Sequence, residues 1–239
     1  MTGAAPRALQ LLSAGAAKGV VQALAASFER AAGATLGATF DAAGTIRDQF
    51  LAGVPCDVLI LPAPMLAALA VQARVEADSI APLGGVPTGI AVPAGEPVPA
   101  VAGVDALRDV LAAASALYCP DIERATAGIH FVGVLKRLGI HERVAAKLKP
   151  YANGATAMAA MARAEPAGHS GAVGCTQVTE ILYTPGVTLV AKLPDEVGLT
   201  TVYSVAVSHG AGDAARARRF AALLTGEGSR ELRRAGGFD

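Results

Sequence analysis

Aromatic residues are scarce in this chain of 239 residues: it has no tryptophan, 4 tyrosines and 6 phenylalanines. A core with so few rings must be built mainly from valine, leucine and isoleucine. An excess of charge is also missing, since Lys and Arg together number 20 and Asp and Glu together number 20. This balance lacks the positive surplus of nucleic-acid-binding proteins, so no nucleic acid is expected as a partner.

Long apolar runs are absent as well, because Gly, Pro or charged residues interrupt each one well before the ~20 residues that a membrane span needs. We therefore expect no membrane span. Residues 1–6 contain neither the basic segment nor the apolar run of an export signal. The expected location is periplasmic if a signal peptide has been removed, and otherwise cytoplasmic.

Cysteines are few, and the patterns of common cofactor sites are missing. Cys56, Cys119 and Cys175 are far apart and odd in number, so we interpret them as small buried residues. No histidine pairs with another histidine or with a cysteine at the spacing of metal ligands, and neither a P-loop nor a G-x-G-x-x-G motif is present. We expect no metal and no cofactor.

Strand and helix patterns alternate along the first third of the chain. Apolar strands at 8–13, 35–40 and 56–62 are each followed by a helical pattern. Three such units in a row predict a parallel sheet with right-handed crossovers. The segment GGVPTGIAVPAGEPVP, residues 84–99, is then rich in turn-forming residues and is interpreted as an extended crossing into a second lobe.

The second lobe has its own pattern of helices and strands. Helices are predicted at 104–114, 126–138 and 154–164, with strands at ALYC, GAVGC and VTLVA. The strand at 200–207 would return the chain to the first lobe. The predicted fold class is α/β, with two Rossmann-like lobes and a ligand cleft between them. The first lobe comprises residues 1–84 and 201–239, and the second comprises residues 85–200.

Small residues occupy three of the predicted strand-to-helix junctions. A helix N-terminus has unpaired N–H groups and a partial positive charge, and small side chains let an anion approach them. One such turn is common in any α/β protein, but three in two lobes favour an anion-binding function. The candidate ligand-binding residues in these turns are Ser13, Gly15, Ala16, Ala43, Gly44, Thr45, Thr126 and Ala127.

A cation accompanies each of these turns: Lys18 follows the first, Arg47 follows the second and Arg124 precedes the third. An arginine can hold a carboxylate through two parallel hydrogen bonds. We include all three among the candidate ligand-binding residues, with a purely surface role as the alternative for each. His130, one turn into the third helix, is a further candidate.

Several segments carry a resemblance to one family. The stretch from LLSAGAAKG to CDVLIL, and later DIERATAGIHFVGVLKRLGI, resemble the molybdate-binding branch of the type 2 periplasmic binding proteins. That branch places serine hydroxyls at the first two turns and a tyrosine after a second-lobe strand, where this chain has Gly15, Ala43 and Gly174. The stretch GCTQVTEILYTPGVTLVAKLP is instead similar to a divergent subgroup that includes aconitate isomerase.

The resemblance implies a di- or tricarboxylate ligand, with Thr176 and Gln177 as hydrogen-bonding residues. One hypothesis is a solute-binding protein, whose partner would be an ABC transporter permease if the protein is exported. The other is an isomerase of an unsaturated carboxylic acid, in which Arg124 and His130 would be catalytic. The base in that reaction is left open among His130, Glu123, Asp41 and Lys18. A transcriptional effector domain is the third and weakest hypothesis, because no helix-turn-helix pattern is present.

Overall fold

The computed structural model describes residues 7–164 and 171–239, and its fold class is the predicted α/β one. The chain forms two compact units. Unit 1 consists of Met1–Gly85 and Val202–Asp239, and unit 2 of Val86–Thr201. The chain passes from unit 1 to unit 2 within one strand and returns within another.

Unit 1 is built on a sheet in which parallel strands lie side by side. β1 pairs in parallel with β2 on one side and with β3 on the other, as the three successive strand-helix units predicted. The last strand, β9, pairs antiparallel with β3. The elements are β1 (Leu9–Ala14), α1 (Lys18–Ala32), β2 (Leu36–Asp41), α2 (Ala43–Leu51), β3 (Val58–Pro62), α3 (Ala63–Val71), β9 (Thr200–Val207), α9 (Ala214–Thr225) and α10 (Arg230–Ala235).

The core of unit 1 depends on aliphatic strands and one aromatic contact. All five residues of β3 are buried, which fits a central strand covered on both faces. α1 and α9 pack together, and the rings of Phe28 and Phe220 lie 4.6 Å apart between their centroids. This tilted ring pair is a contact between the two helices in a chain with few aromatic residues.

Unit 2 combines parallel and antiparallel pairing. β5 pairs in parallel with β6 and β7, whereas β4 pairs antiparallel with β7 and β8. The elements are β4 (Ala81–Pro93), α4 (Val104–Ala113), β5 (Leu117–Pro120), α5 (Thr126–Arg137), α6 (His141–Val144), β6 (Leu148–Tyr151), α7 (Gly154–Arg163), β7 (Val173–Gln177), α8 (Val178–Tyr183) and β8 (Val187–Lys192). Hydrophobic clusters cover the sheet, one around Phe131 and Leu135 and another around Met158 and Met161.

Some boundaries differ from the sequence-based predictions. β4 begins at Ala81 and ends at Pro93, so the predicted strand at 84–99 starts too late and ends too late. The glycines and prolines of this segment predicted a strand start at residue 84. The strand starts earlier because strand pairing overrides the local turn preference. The sequence also failed to predict β6, α6 and α8, which are too short for periodicity to be visible. No helix within the described ranges is long and apolar enough to cross a membrane.

Candidate functional site

The first candidate turn follows β1 in unit 1. Gly15–Ala17 form a single 3-10 turn that continues into α1, and no side chain caps either helical start. Gly15 is half-buried, whereas Ala16 is 4% exposed. Ser13 is fully buried, and its hydroxyl donates to the carbonyl of Ala14 over 2.9 Å. The turn therefore offers an anion its backbone N–H groups, while the proton of the Ser13 hydroxyl is used within the chain.

The second candidate turn lies beside the first. β1 and β2 end in register, with Ser13 opposite Phe40 and Ala14 opposite Asp41, so both turns leave the same edge of the sheet. α2 begins at Ala43 without a side-chain cap. Ala43 and Gly44 are buried, and Thr45 is half-buried. Two adjacent helix starts without side-chain caps thus point their first-turn N–H groups to one edge of unit 1.

The cations of unit 1 differ in position. The ammonium group of Lys18 lies 5.9 Å from the ring centroid of Phe40, which holds it near the end of β2 and beside the two turns. The guanidinium group of Arg47 is bound to its neighbour Asp48, with Nη2 2.7 Å and Nε 3.0 Å from Oδ1. This exposed pair must open before Arg47 can hold a ligand.

The third candidate turn follows β5 in unit 2. The carboxylate of Asp121 accepts hydrogen bonds from the N–H groups of Glu123 and Arg124, at 2.8 and 2.9 Å, and so shapes the loop into α5. α5 has no side-chain cap at Ala125. Ala127 is buried and Thr126 is half-buried. The first N–H groups of α5 are therefore not satisfied by a side chain at the cap position.

The two tentative catalytic residues lie at α5 but in different surroundings. Arg124 is exposed, one residue before the N-cap. His130 is half-buried, and its Nε2 lies 2.8 Å from the carbonyl oxygen of Val197. A ring nitrogen facing a carbonyl oxygen must carry the proton, so Nδ1 is the nitrogen able to act as a base.

Thr176 and Gln177 end β7, the strand that pairs in parallel with β5. Because parallel strands end at the same edge, these two residues and the start of α5 share one edge of unit 2. Thr176 is fully buried and its hydroxyl donates to Glu180 over 2.6 Å. Gln177 is 2% exposed, and its amide nitrogen lies 3.4 Å from the hydroxyl of Thr201. Both side chains therefore have a hydrogen-bond partner within unit 2.

Two buried residues at this edge, Glu180 and Thr179, were not among the candidate ligand-binding residues predicted from the sequence. Glu180 is 6% exposed, receives hydrogen bonds from Thr176 and from backbone groups of Gly154, Ala155 and Gln177, and has its pKa raised by burial against the opposing effect of these bonds. Thr179 is 5% exposed, and within the described residues its hydroxyl has no hydrogen-bond partner. A glutamate flanked by apolar residues in the run V-T-E-I-L is a sequence signal that could have marked Glu180 as buried, but it does not identify the partners in α7.

The other titratable groups of interest are possible metal ligands and the three cysteines. No group of three His, Cys, Asp or Glu side chains there is arranged to hold a metal ion. The interpretation of the cysteines as buried residues is confirmed, and all three are free thiols. Burial raises the pKa of both Cys56 and Cys119 to about 12, so these thiols are poor nucleophiles.

In unit 1 the two candidate turns share a sheet edge, and in unit 2 the third turn shares an edge with Thr176 and Gln177. The prediction that residues of both lobes face one ligand cleft stays a prediction, as does the ligand-binding role of each residue. What each edge can do chemically is to donate several backbone hydrogen bonds from helix N-termini to an anion, with Lys18 nearby in unit 1 and Arg124 in unit 2.

Comparison with known proteins gives a consistent result. A family model described as bacterial extracellular solute-binding protein matches residues 9–239. An aconitate isomerase from a Pseudomonas species is 26% identical over 210 residues, which cover 83% of this chain and 75% of that protein. The periplasmic molybdate-binding protein of Azotobacter vinelandii has a TM-score of 0.80 at 16% identity, covering 97% of this chain and 98% of that one. The sulfate-binding protein SubI from Mycobacterium tuberculosis has a TM-score of 0.75 at 16% identity, covering 98% and 86%. The resemblance drawn from the motifs is thereby confirmed.

Proposed function

Because this chain belongs to the family of bacterial extracellular solute-binding proteins, we propose that it binds a small organic anion with two or three carboxylate groups. The observation that carries the proposal is the set of helix starts without side-chain caps at α1, α2 and α5. Unsatisfied N–H groups at a helix N-terminus favour negative charge. Several such ends suit a ligand with several carboxylates.

The cations add to this preference. Arg124 precedes α5 and is exposed, so its guanidinium group is accessible to a carboxylate oxygen pair. Lys18, Thr45, Thr126 and Gln177 are proposed as further ligand-binding residues, with the N–H groups of Gly15, Ala16, Ala43, Gly44 and Ala127. Compact oxyanions such as molybdate are disfavoured, because Ser13 donates its hydroxyl proton to Ala14 and alanine stands at position 43.

The proposed setting is that of the family: an exported protein in the periplasm that delivers its ligand to an ABC transporter permease. The family description of extracellular solute binding supports this location. A membrane-fraction pull-down from the source bacterium, with the protein loaded with ligand, would identify the permease.

Titration calorimetry with citrate, aconitate, tricarballylate, succinate, sulfate and molybdate tests the ligand class. We expect a dissociation constant in the micromolar range or below for at least one carboxylate, and binding of molybdate at least tenfold weaker. Tight binding of molybdate alone would contradict the proposal.

Arg124→Ala tests the site. Loss of a charge-assisted hydrogen bond to a carboxylate should weaken binding by about 2 kcal/mol, roughly a thirtyfold higher Kd. Arg163→Ala is the matched control, because Arg163 is also an exposed arginine of unit 2 but lies in the last turn of α7. Equal affinities of the two variants would remove Arg124 from the site. Thr45→Ala, in unit 1, should weaken binding of the same ligand if both units contribute.

The similarity to aconitate isomerase favours one second candidate function, the isomerisation of an unsaturated carboxylic acid. Such a reaction moves a proton, so it needs a base near the substrate and donors that stabilise the developing negative charge. His130 is the proposed base, through Nδ1, and Arg124 the proposed electrostatic partner. Interconversion of cis- and trans-aconitate in D2O, followed by NMR, separates the two functions: turnover with deuterium uptake establishes the enzyme, and binding without turnover leaves the receptor. His130→Gln should then abolish turnover while preserving binding.

A further inference from the structure

The side chain of Glu180 has an environment that is built for a carboxylate. Its Oε2 accepts a hydrogen bond of 2.6 Å from the Thr176 hydroxyl. Backbone N–H groups of Gly154, Ala155 and Gln177 donate further hydrogen bonds to the same carboxylate. An ionised carboxylate only accepts hydrogen bonds, so four donors match it. The residue is 6% exposed, so these contacts replace water almost completely.

Gly154 and Ala155 are the first two residues of α7, where N–H groups have no partner within the helix. Asn153 satisfies a third N–H group, because its Oδ1 accepts from the N–H of Thr156 over 3.0 Å. The N-terminus of α7 is thus satisfied within the chain. It differs in this respect from the starts of α1, α2 and α5, which have no side-chain cap.

The space occupied by the carboxylate depends on the missing side chain of Gly154. A Cβ atom at this position would overlap with Oε2 of Glu180 and with the Thr176 hydroxyl. α7 therefore begins with the one residue type that lets a carboxylate approach its first N–H groups. The fit involves α7, β7 and α8 together, which a surface ion pair does not.

We propose that Glu180 is a specificity-determining residue: its carboxylate occupies the anion position at the N-terminus of α7, so that unit 2 keeps the N-terminus of α5 for the ligand. The role of α5 in this statement rests on the proposed function, whereas the occupancy of α7 does not. A compact dianion that requires the N–H groups of α7 meets a negative charge there and is rejected.

Chemical rescue tests the occupancy. Glu180→Ala removes the CH2–COO group beyond Cβ, which has the size of one acetate ion, and leaves at least four donors unsatisfied. The variant should have a Tm lower by roughly 10 °C at neutral pH. Sodium acetate should restore at least half of this loss in a saturable manner. Acetamide, which is neutral, and propionate, which is too large, should restore much less.

The controls separate a specific site from a general salt effect. Wild type and Glu142→Ala, whose side chain is 95% exposed in unit 2, should respond to acetate no more than to sodium chloride at the same ionic strength. Equal rescue by acetate and acetamide, or an equal acetate effect in wild type, would overturn the occupancy of α7 by Glu180. If Glu180→Ala does not accumulate as folded protein, refolding yield in acetate against chloride gives the same comparison.

Glu180→Ala also tests the specificity, because it removes both the charge and the volume that keep an anion from the first N–H groups of α7. We expect its affinity for sulfate to rise at least tenfold over wild type in titration calorimetry, and an unchanged affinity would overturn this part. Failure of wild type to bind any carboxylate would contradict the proposed function alone, since acetate rescue is measured without the physiological ligand.

Discussion

The N-termini of α5 and α7, both in unit 2, differ in whether side chains accept hydrogen bonds from their first N–H groups. Both helices follow neighbouring parallel strands, and both begin with N–H groups that need an acceptor. At α7 the acceptors are the side chains of Asn153 and Glu180. At α5 no side chain caps the helix. One helix end is therefore satisfied by side chains of unit 2, while the other is the one that the proposed function assigns to the ligand.

The largest expected effect is a loss of unfolding free energy on substitution of a glycine in the first turn of α5. A Cβ atom on Gly128 would overlap with the carbonyl oxygen of Asp121, which is backbone and cannot rotate away. Gly128→Ala should therefore lose about 3 kcal/mol of unfolding free energy. Gly133→Ala, in the same helix with nothing within 4 Å of its Cβ, is the matched control and should gain about 0.5–1 kcal/mol. Urea unfolding followed by circular dichroism measures both. If the two variants are equally stable, packing against Asp121 is not the reason for the small residue at position 128. The small residues of this turn would then serve only to let a ligand approach.

A somewhat smaller effect is expected at α7. Gly154→Ala should displace the Glu180 carboxylate and cost about 2 kcal/mol, because the displaced group and its donors lose their partners. In a Glu180→Ala background the same substitution should cost less, since one of the two obstructing groups is gone and only the Thr176 hydroxyl has to move. A double-mutant cycle by urea unfolding measures this coupling, and additive losses would separate Gly154 from Glu180.

Replacing a polar residue by alanine should lower mainly the stability at α7 and mainly the ligand affinity at α5. Asn153→Ala removes the cap of α7 and should cost about 1 kcal/mol of stability while leaving ligand affinity unchanged. Thr126→Ala at α5 should change stability by less than about 0.5 kcal/mol but weaken ligand binding. Calorimetric titration and thermal unfolding of both variants test the pair. The comparison fails if Asn153→Ala weakens binding as much as Thr126→Ala.

The smallest effect concerns pH. Burial raises the pKa of Glu180 above its ordinary value. A group with a raised pKa in the folded state contributes stability below its unfolded pKa and loses it as the pH rises through the folded pKa. From about pH 4 to about pH 7, the Tm of Glu180→Gln should therefore rise relative to that of wild type. A constant Tm difference over this range would mean that Glu180 keeps its ordinary pKa.

Much of the fold was accessible from the sequence because long elements have clear periodicity. The strand at 200–207 and the helix beginning at Thr126 were located to the residue at their starts, since apolar patterns and small-residue turns bound them. β6 was missed because its four residues are only half-buried or exposed and give no apolar signal. α8 was missed because it has six residues. Neither length allows a helical or strand period to stand out.

The sequence by itself determined the α/β class, the chain order of the elements and the small-residue turns, because these depend on local propensity and short-range patterning. The tertiary structure decided which of those turns are satisfied within the chain. Glu180 and Gly154 are 26 positions apart, and only the pairing of β5 with both β6 and β7 brings α7 and α8 close enough for a carboxylate to meet the first N–H groups of another helix. Contacts of that kind depend on long-range packing, which no local sequence pattern encodes.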